Sequence, residues 1–106
     1  MSSAWVMWDE RYTAYDFGPG HPMHPSRLDL TYRLATELGL LDHDDVTVVP
    51  VEPARMADLL TVHTIDHINE VRKVSADPSL ARQRHGIGTE DTPAFAGMHE
   101  ASSYGV

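Results

Sequence analysis

The sequence predicts an α/β chain, and three observations carry that prediction. Two short β-rich runs, Ala4-Trp5-Val6-Met7-Trp8 and Val46-Thr47-Val48-Val49, are separated by a leucine stripe at helical spacing, and a second amphipathic helical pattern follows the second run. The order is strand, loop, helix, strand, helix. A composition of 42% hydrophobic and 23% charged residues over 106 positions allows the modest core of a single domain and argues against disorder along the whole length.

The first run is apolar on both alternating sets and ends at the charged trio Asp9-Glu10-Arg11, the pattern of a buried strand. From Tyr12 to Pro25 regularity breaks. Gly18, Pro19, Gly20, Pro22 and Pro25 fall so close together that neither a helix nor an inner strand can form, and a shaped loop is expected. Pro25 suits the first turn of a helix, where its missing N–H would be unpaired in any case. Leu30, Leu34, Leu38 and Leu41 then stack on one helical face, with Asp29, Arg33 and Glu37 off that stripe and Gly39 placed to end it. Asp42-His43-Asp44-Asp45 reads as a solvated loop, and Pro50 stops the second strand. After Pro53, Met56, Leu59 and Leu60 give a short amphipathic turn, and Thr64 is placed to cap a helix carrying Ile65, Ile68, Val71 and Val74. The hydrophobic period disappears from Asp77 to Pro93, so a long irregular loop is expected, of the kind that binds something or moves. A last helix, with Met98 and Ala101, opens after Ala94 and has no terminating signal.

Composition also excludes. No cysteine is present, so disulfides, thiol nucleophiles and thiolate metal sites are absent, and any metal must be held by His, Asp or Glu. Eight Lys plus Arg against sixteen Asp plus Glu give a net charge of -8, a poor match for nucleic acid. No apolar run is long enough to span a bilayer, and Met1-Ser2-Ser3-Ala4 does not open a secretory signal, so a soluble cytoplasmic protein is expected.

Seven histidines, His21, His24, His43, His63, His67, His85 and His99, are the unusual count and direct the search for chemistry. His63-Thr64-Ile65-Asp66-His67 has the four-residue spacing that sets two imidazoles on one helix face, as zinc proteases use it, but Thr64 stands where their general-base Glu would be. If Thr64 caps the helix, His63 lies outside it and the shared face is expected to dissolve. Gly18-Pro19-Gly20-His21-Pro22-Met23-His24-Pro25-Ser26-Arg27 is a locked loop, suited either to holding a site rigid or to a tight lead into the helix with His21 bonded to backbone. Gly86-Ile87-Gly88-Thr89-Glu90-Asp91-Thr92-Pro93 offers paired carboxylates for acid–base work or ligand contact, or a solvated acidic loop.

Taken in order and at their distances, these segments, beginning at Tyr15-Asp16-Phe17 and including Val62 to Ile68, resemble the N-terminal part of the zinc-dependent histone deacetylase family, most closely its bacterial acetoin utilisation branch. The Gly-His-Pro-Met-x-Pro-x-Arg core and the later Gly88-Thr89-Glu90-Asp91-Thr92-Pro93 segment are the specific signals. The resemblance implies the opening units of an arginase-like parallel-sheet fold with flanking helices, left incomplete over residues 1–106. It also implies hydrolysis of acetyl-lysine with release of acetate, zinc held by two Asp and one His, a His pair for proton transfer and a Tyr at the oxyanion. An acetylated protein is the implied partner, an acetyl-CoA-forming synthetase in the acetoin branch, together with the remainder of the deacetylase domain. By the same resemblance Asp91 matches the rim aspartate that accepts substrate backbone N–H groups. Arg27 matches the arginine beside the cavity below the zinc, with bonding to loop carbonyls as its structural alternative. His21, Pro22 and Met23 match the loop that shapes that cavity.

The chain has no His-His pair and no Asp-x-His, so no catalytic residue and no metal ligand of the family is expected within it, and no zinc is expected to be bound by it. The leading expectation is an N-terminal piece of an acetoin-type deacetylase that is inactive alone. A non-catalytic acetyl-lysine-binding or regulatory module, and a small metal protein using His21, His24, His63 or His67, are the alternatives.

Overall fold

A computed structural model of the chain describes residues 2–106. Strand β1 (Ala4–Met7) and strand β2 (Val46–Val49) pair in parallel, with Ala4 opposite Val46 and Met7 opposite Val49. Helix α1 (Ser26–Glu37) makes the crossover between them, as a parallel pair requires. Helix α2 (Met56–Leu59) is a single turn, helix α3 (Ile65–Ala76) follows it, and helix α4 (Met98–Ser103) packs on α3. A parallel strand pair with interspersed helices agrees with the expected α/β class, at the scale of one two-stranded sheet.

Local signals act where the sequence places them. Pro25 is buried at the N-cap of α1, and Gly39 follows the end of that helix at φ +72°, a left-handed conformation that lets the chain turn out of it. Thr64 caps α3, its Oγ1 accepting from the His67 amide at 3.2 Å. The 77–93 loop is less irregular than its lack of hydrophobic period suggests. It holds two single-turn 3-10 segments, Pro78–Leu80 and Gln83–His85, and it buries Ile87.

The core lies between α3, α4 and this loop, where Ile68, Val74, Ile87 and Ala101 are buried. Ser75 joins the two helices from within. Its carbonyl accepts from the Gly97 amide, and its Oγ accepts from the His99 amide at 3.0 Å while donating to Glu100 Oε2 at 2.8 Å. A second tie closes the chain's two ends. Arg11 bonds Asp9 at 2.6 Å and the Val51 carbonyl at 2.7 Å, and its guanidinium lies over the Tyr104 ring at 4.3 Å.

The sheet departs from the expected burial. β1 is a strand, but Trp5 is 71% exposed and Met7 51%, because no layer among the described residues covers this face. The leucine stripe of α1 is equally uncovered, with Leu30, Leu34 and Leu38 all exposed, while Leu41 is half-buried beyond the helix end. Trp8, just past β1, does find a partner and stacks on Tyr32 of α1 with ring centroids 4.3 Å apart.

Candidate functional site

The two segments singled out around His21 and Asp91 meet in space. His21 Nε2 lies 3.1 Å from the carbonyl oxygen of Asp91, and the Met23 amide donates to His21 Nδ1 at 3.0 Å. An amide can only donate, so Nδ1 is the acceptor and the proton sits on Nε2, which donates to the Asp91 carbonyl. Both ring nitrogens are thereby committed to backbone. His21 is a clamp between two loops, which agrees with the structural reading of this residue and leaves no lone pair for a metal.

Each loop is shaped before it reaches this contact. Asp16 Oδ1 accepts from the Gly18 amide at 2.8 Å and turns the chain into the Pro-Gly segment. On the other side, Thr92 Oγ1 donates to the Gly86 carbonyl at 2.8 Å, and with that proton used, Thr89 Oγ1 is the donor in their 2.7 Å contact. The Thr89 oxygen in turn accepts from the Thr92 amide at 3.0 Å, and the Gly88 amide donates to the Thr92 carbonyl. Below the junction, Tyr15, Phe17 and Phe95 pack edge to face at 5.0 to 5.9 Å, and Phe17 also meets the His21 ring at 4.6 Å.

The result is an open groove of about 620 Å³ lined by Phe17, His21, Pro22, Met23, Glu90 and Asp91 among others. Pro22 and Met23 are exposed on its wall. Asp91 uses its carbonyl to hold His21, while its carboxylate is exposed and makes no hydrogen bond or ion pair among the described residues. A free carboxylate with two acceptor oxygens on a fixed backbone can receive N–H donors from a ligand.

Arg27 packs on the groove-wall loop rather than bonding its carbonyls. Its Nη2 approaches Met23 Sδ at 3.8 Å, and it has no loop carbonyl and no carboxylate partner among the described residues. It therefore stands behind the groove wall, packing on Met23. His24 has a role that the sequence reading missed. Its Nδ1 accepts from the Ser26 amide at 3.2 Å and lies 2.9 Å from Ser26 Oγ, capping α1 where Pro25 cannot. The x-Pro-Ser spacing after His24 was the signal available for it.

His63 and His67 correct another expectation. Thr64 does cap α3, yet the two rings remain together, with centroids 5.3 Å apart and planes inclined by 34°. No three His, Asp or Glu side chains among the described residues are arranged to hold a metal ion, so the donor set of the family's zinc is not assembled from them. Glu100 is held low by hydrogen bonds from its own backbone amide and the Ser75 hydroxyl, while the other shifted carboxylates serve ion pairs and caps. The Arg55 backbone amide and guanidinium hold Asp58 low, and the Lys73 ammonium holds Glu70 low. No described helix is long and apolar enough to cross a membrane.

The chain is similar to several known proteins. The chain is 37% identical over 105 residues to the acetoin utilization protein AcuC of Bacillus subtilis, covering 97% of this chain and 27% of that protein. It is 35% identical to histone deacetylase 1 of rice over 96 residues, and 33% identical to histone deacetylase B of Dictyostelium discoideum over 98 residues. The chain spans about a quarter or less of the length of these relatives. The histone deacetylase domain family matches residues 21–106, beginning at the histidine that clamps the two loops and including α3, the Asp91 loop and α4. Because that match covers most of the chain, the chain belongs to the histone deacetylase family.

Proposed function

We propose that residues 1–106 form the N-terminal part of an acetoin-type lysine deacetylase domain and supply the substrate rim of its active site. The observation that carries the reading is the His21–Asp91 clamp, which fixes the Asp91 backbone while leaving its carboxylate free at the mouth of a groove. In this reading Asp91 accepts backbone N–H groups of a peptide carrying acetyl-lysine. His21, Pro22 and Met23 hold the pocket wall, and Arg27 reinforces it from behind. Zinc and the proton-transfer residues come from outside this chain, so the chain alone hydrolyses nothing. An acetylated protein, such as an acetyl-CoA-forming synthetase, is the proposed substrate class.

The test is a chimera in which this chain replaces the aligned segment of the Bacillus subtilis relative, assayed for acetate release from an acetyl-lysine peptide. Loss of a charged hydrogen-bond acceptor is worth about 1.5–3 kcal/mol, so Asp91→Ala is expected to lower kcat/KM roughly ten- to a hundredfold. An unchanged kcat/KM would remove Asp91 from the rim. Acetate release by the 106-residue chain alone would overturn its assigned inactivity. Calorimetric binding of the same peptide to the chain alone, abolished by Asp91→Ala, would favour the acetyl-lysine-binding module.

A further inference from the structure

The histidine pair at the start of α3 belongs to no part of the proposed deacetylase site. We propose that His63 and His67 form a two-imidazole site for a divalent transition-metal ion, with zinc, nickel and copper as the class of ligand. Zinc sits about 2.0–2.1 Å from a ligating imidazole nitrogen, hence roughly 3.2 Å from the ring centroid, and a tetrahedral angle between two such ligands puts the centroids about 5 Å apart. The observed separation is 5.3 Å.

Three further features suit the pair to this role. The ring nitrogens of His63 and His67 make no hydrogen bond among the described residues, so no protein donor or acceptor competes with a metal for them. The backbone that carries them is already fixed. The His63 amide donates to the Leu59 carbonyl at 2.9 Å, and the His67 amide donates to the Thr64 cap at 3.2 Å. Both rings line one small groove of about 140 Å³, together with Leu59, Ile68 and Val71. His99 of α4 lines the same groove but does not converge with the pair. The site thus offers two protein ligands and leaves the remaining positions to water, unlike a closed four-ligand structural zinc site. Such a site ranks metals by ligand preference, copper above nickel and zinc.

The ion would bridge the N-cap of α3, joining the residue before Thr64 to the first turn after it. Binding should therefore stabilise the helix as well as produce heat. The experiment titrates the 106-residue chain with zinc and nickel chloride by calorimetry and follows the melt by circular dichroism. One ion per chain at micromolar affinity is expected, with a raised melting temperature. His63→Gln and His67→Gln, which keep a polar side chain on the same backbone, should each weaken binding by about tenfold or more and abolish the thermal shift. His43→Gln, in the acidic loop before β2, should change neither. Equal binding by the His63→Gln/His67→Gln double variant, or the absence of both heat and thermal shift in the unaltered chain, would overturn the proposal.

Discussion

Gly88 shows how a single position holds the rim loop in place. It sits at φ +83°, and a Cβ added there would stand 2.8 Å from the Ala81 Cβ. Gly88→Ala therefore meets two costs, about 1–2 kcal/mol for a side chain in the left-handed region and about 1–3 kcal/mol for the overlap. Urea unfolding is expected to show a loss of about 2–5 kcal/mol. Adding Ala81→Gly should return the overlap part and leave the backbone part, and full recovery would mean that the left-handed conformation costs nothing here. Asp9 makes a second residue-scale prediction. The Arg11 guanidinium bonds its side chain, and the Arg11 amide adds a further bond, so the carboxyl is held well below the usual carboxylate range. The folded state thus binds that proton less readily than the unfolded one. The stabilisation is present above about pH 4, where an unfolded aspartate is ionised, and is lost as pH falls toward the lowered folded value. Trp8 fluorescence during urea unfolding at pH 7 and pH 3 should show a larger loss for the unaltered chain than for Asp9→Asn, and equal losses would refute the linkage.

At the scale of elements, what the sequence discloses is local. Pro25, Gly39 and Thr64 act within one helical turn of their own positions, and α1 starts and stops, and α3 starts, where they dictate. Thr64→Ala is accordingly expected to destabilise α3 by about 1 kcal/mol, with Thr64→Ser nearly neutral. Ellipticity at 222 nm during denaturation measures it, and a neutral alanine would mean that packing of Ile68 and Val74 alone holds the helix. Contacts between distant residues are a different matter. His21 and Asp91 are far apart in the chain, and neither periodicity nor spacing pairs an imidazole with a backbone carbonyl. Only the family resemblance put those two segments in one region. Sequence spacing does not reveal the His63–His67 pair because a helical-face argument stops at the cap, while the bend before Thr64 turns His63 back over His67. Strand β1 was readable as a strand from its residues, but an apolar pattern states what can be buried and not whether a neighbouring layer exists.

Across the whole molecule the apolar surface is larger than its fold can cover. The radius of gyration is 16.2 Å, against about 13 Å for a compact domain of this length, and the extents of 47 × 34 × 18 Å describe a plate. The accessible surface is 7590 Å², and a folded monomer of this mass would show about 5,900 Å². Trp5 and Met7 on β1 and Leu30, Leu34 and Leu38 on α1 contribute to that excess, and each strand of the parallel pair has an unpaired edge. Parallel strands are ordinarily covered on both faces, so these surfaces favour association with whatever apolar layer is present. For the isolated 106-residue chain that layer is another copy of itself. Sedimentation should therefore show an average mass that rises with protein concentration, and Leu34→Glu with Leu38→Lys should lower it by placing charge on the exposed helical face. On the proposed reading, in which the remainder of the domain covers these leucines, the same double change in the chimera should instead destabilise the assembled domain. A monomer that melts in one sharp transition at every concentration would show that the plate is stable uncovered, and the exposed leucines would then need no partner.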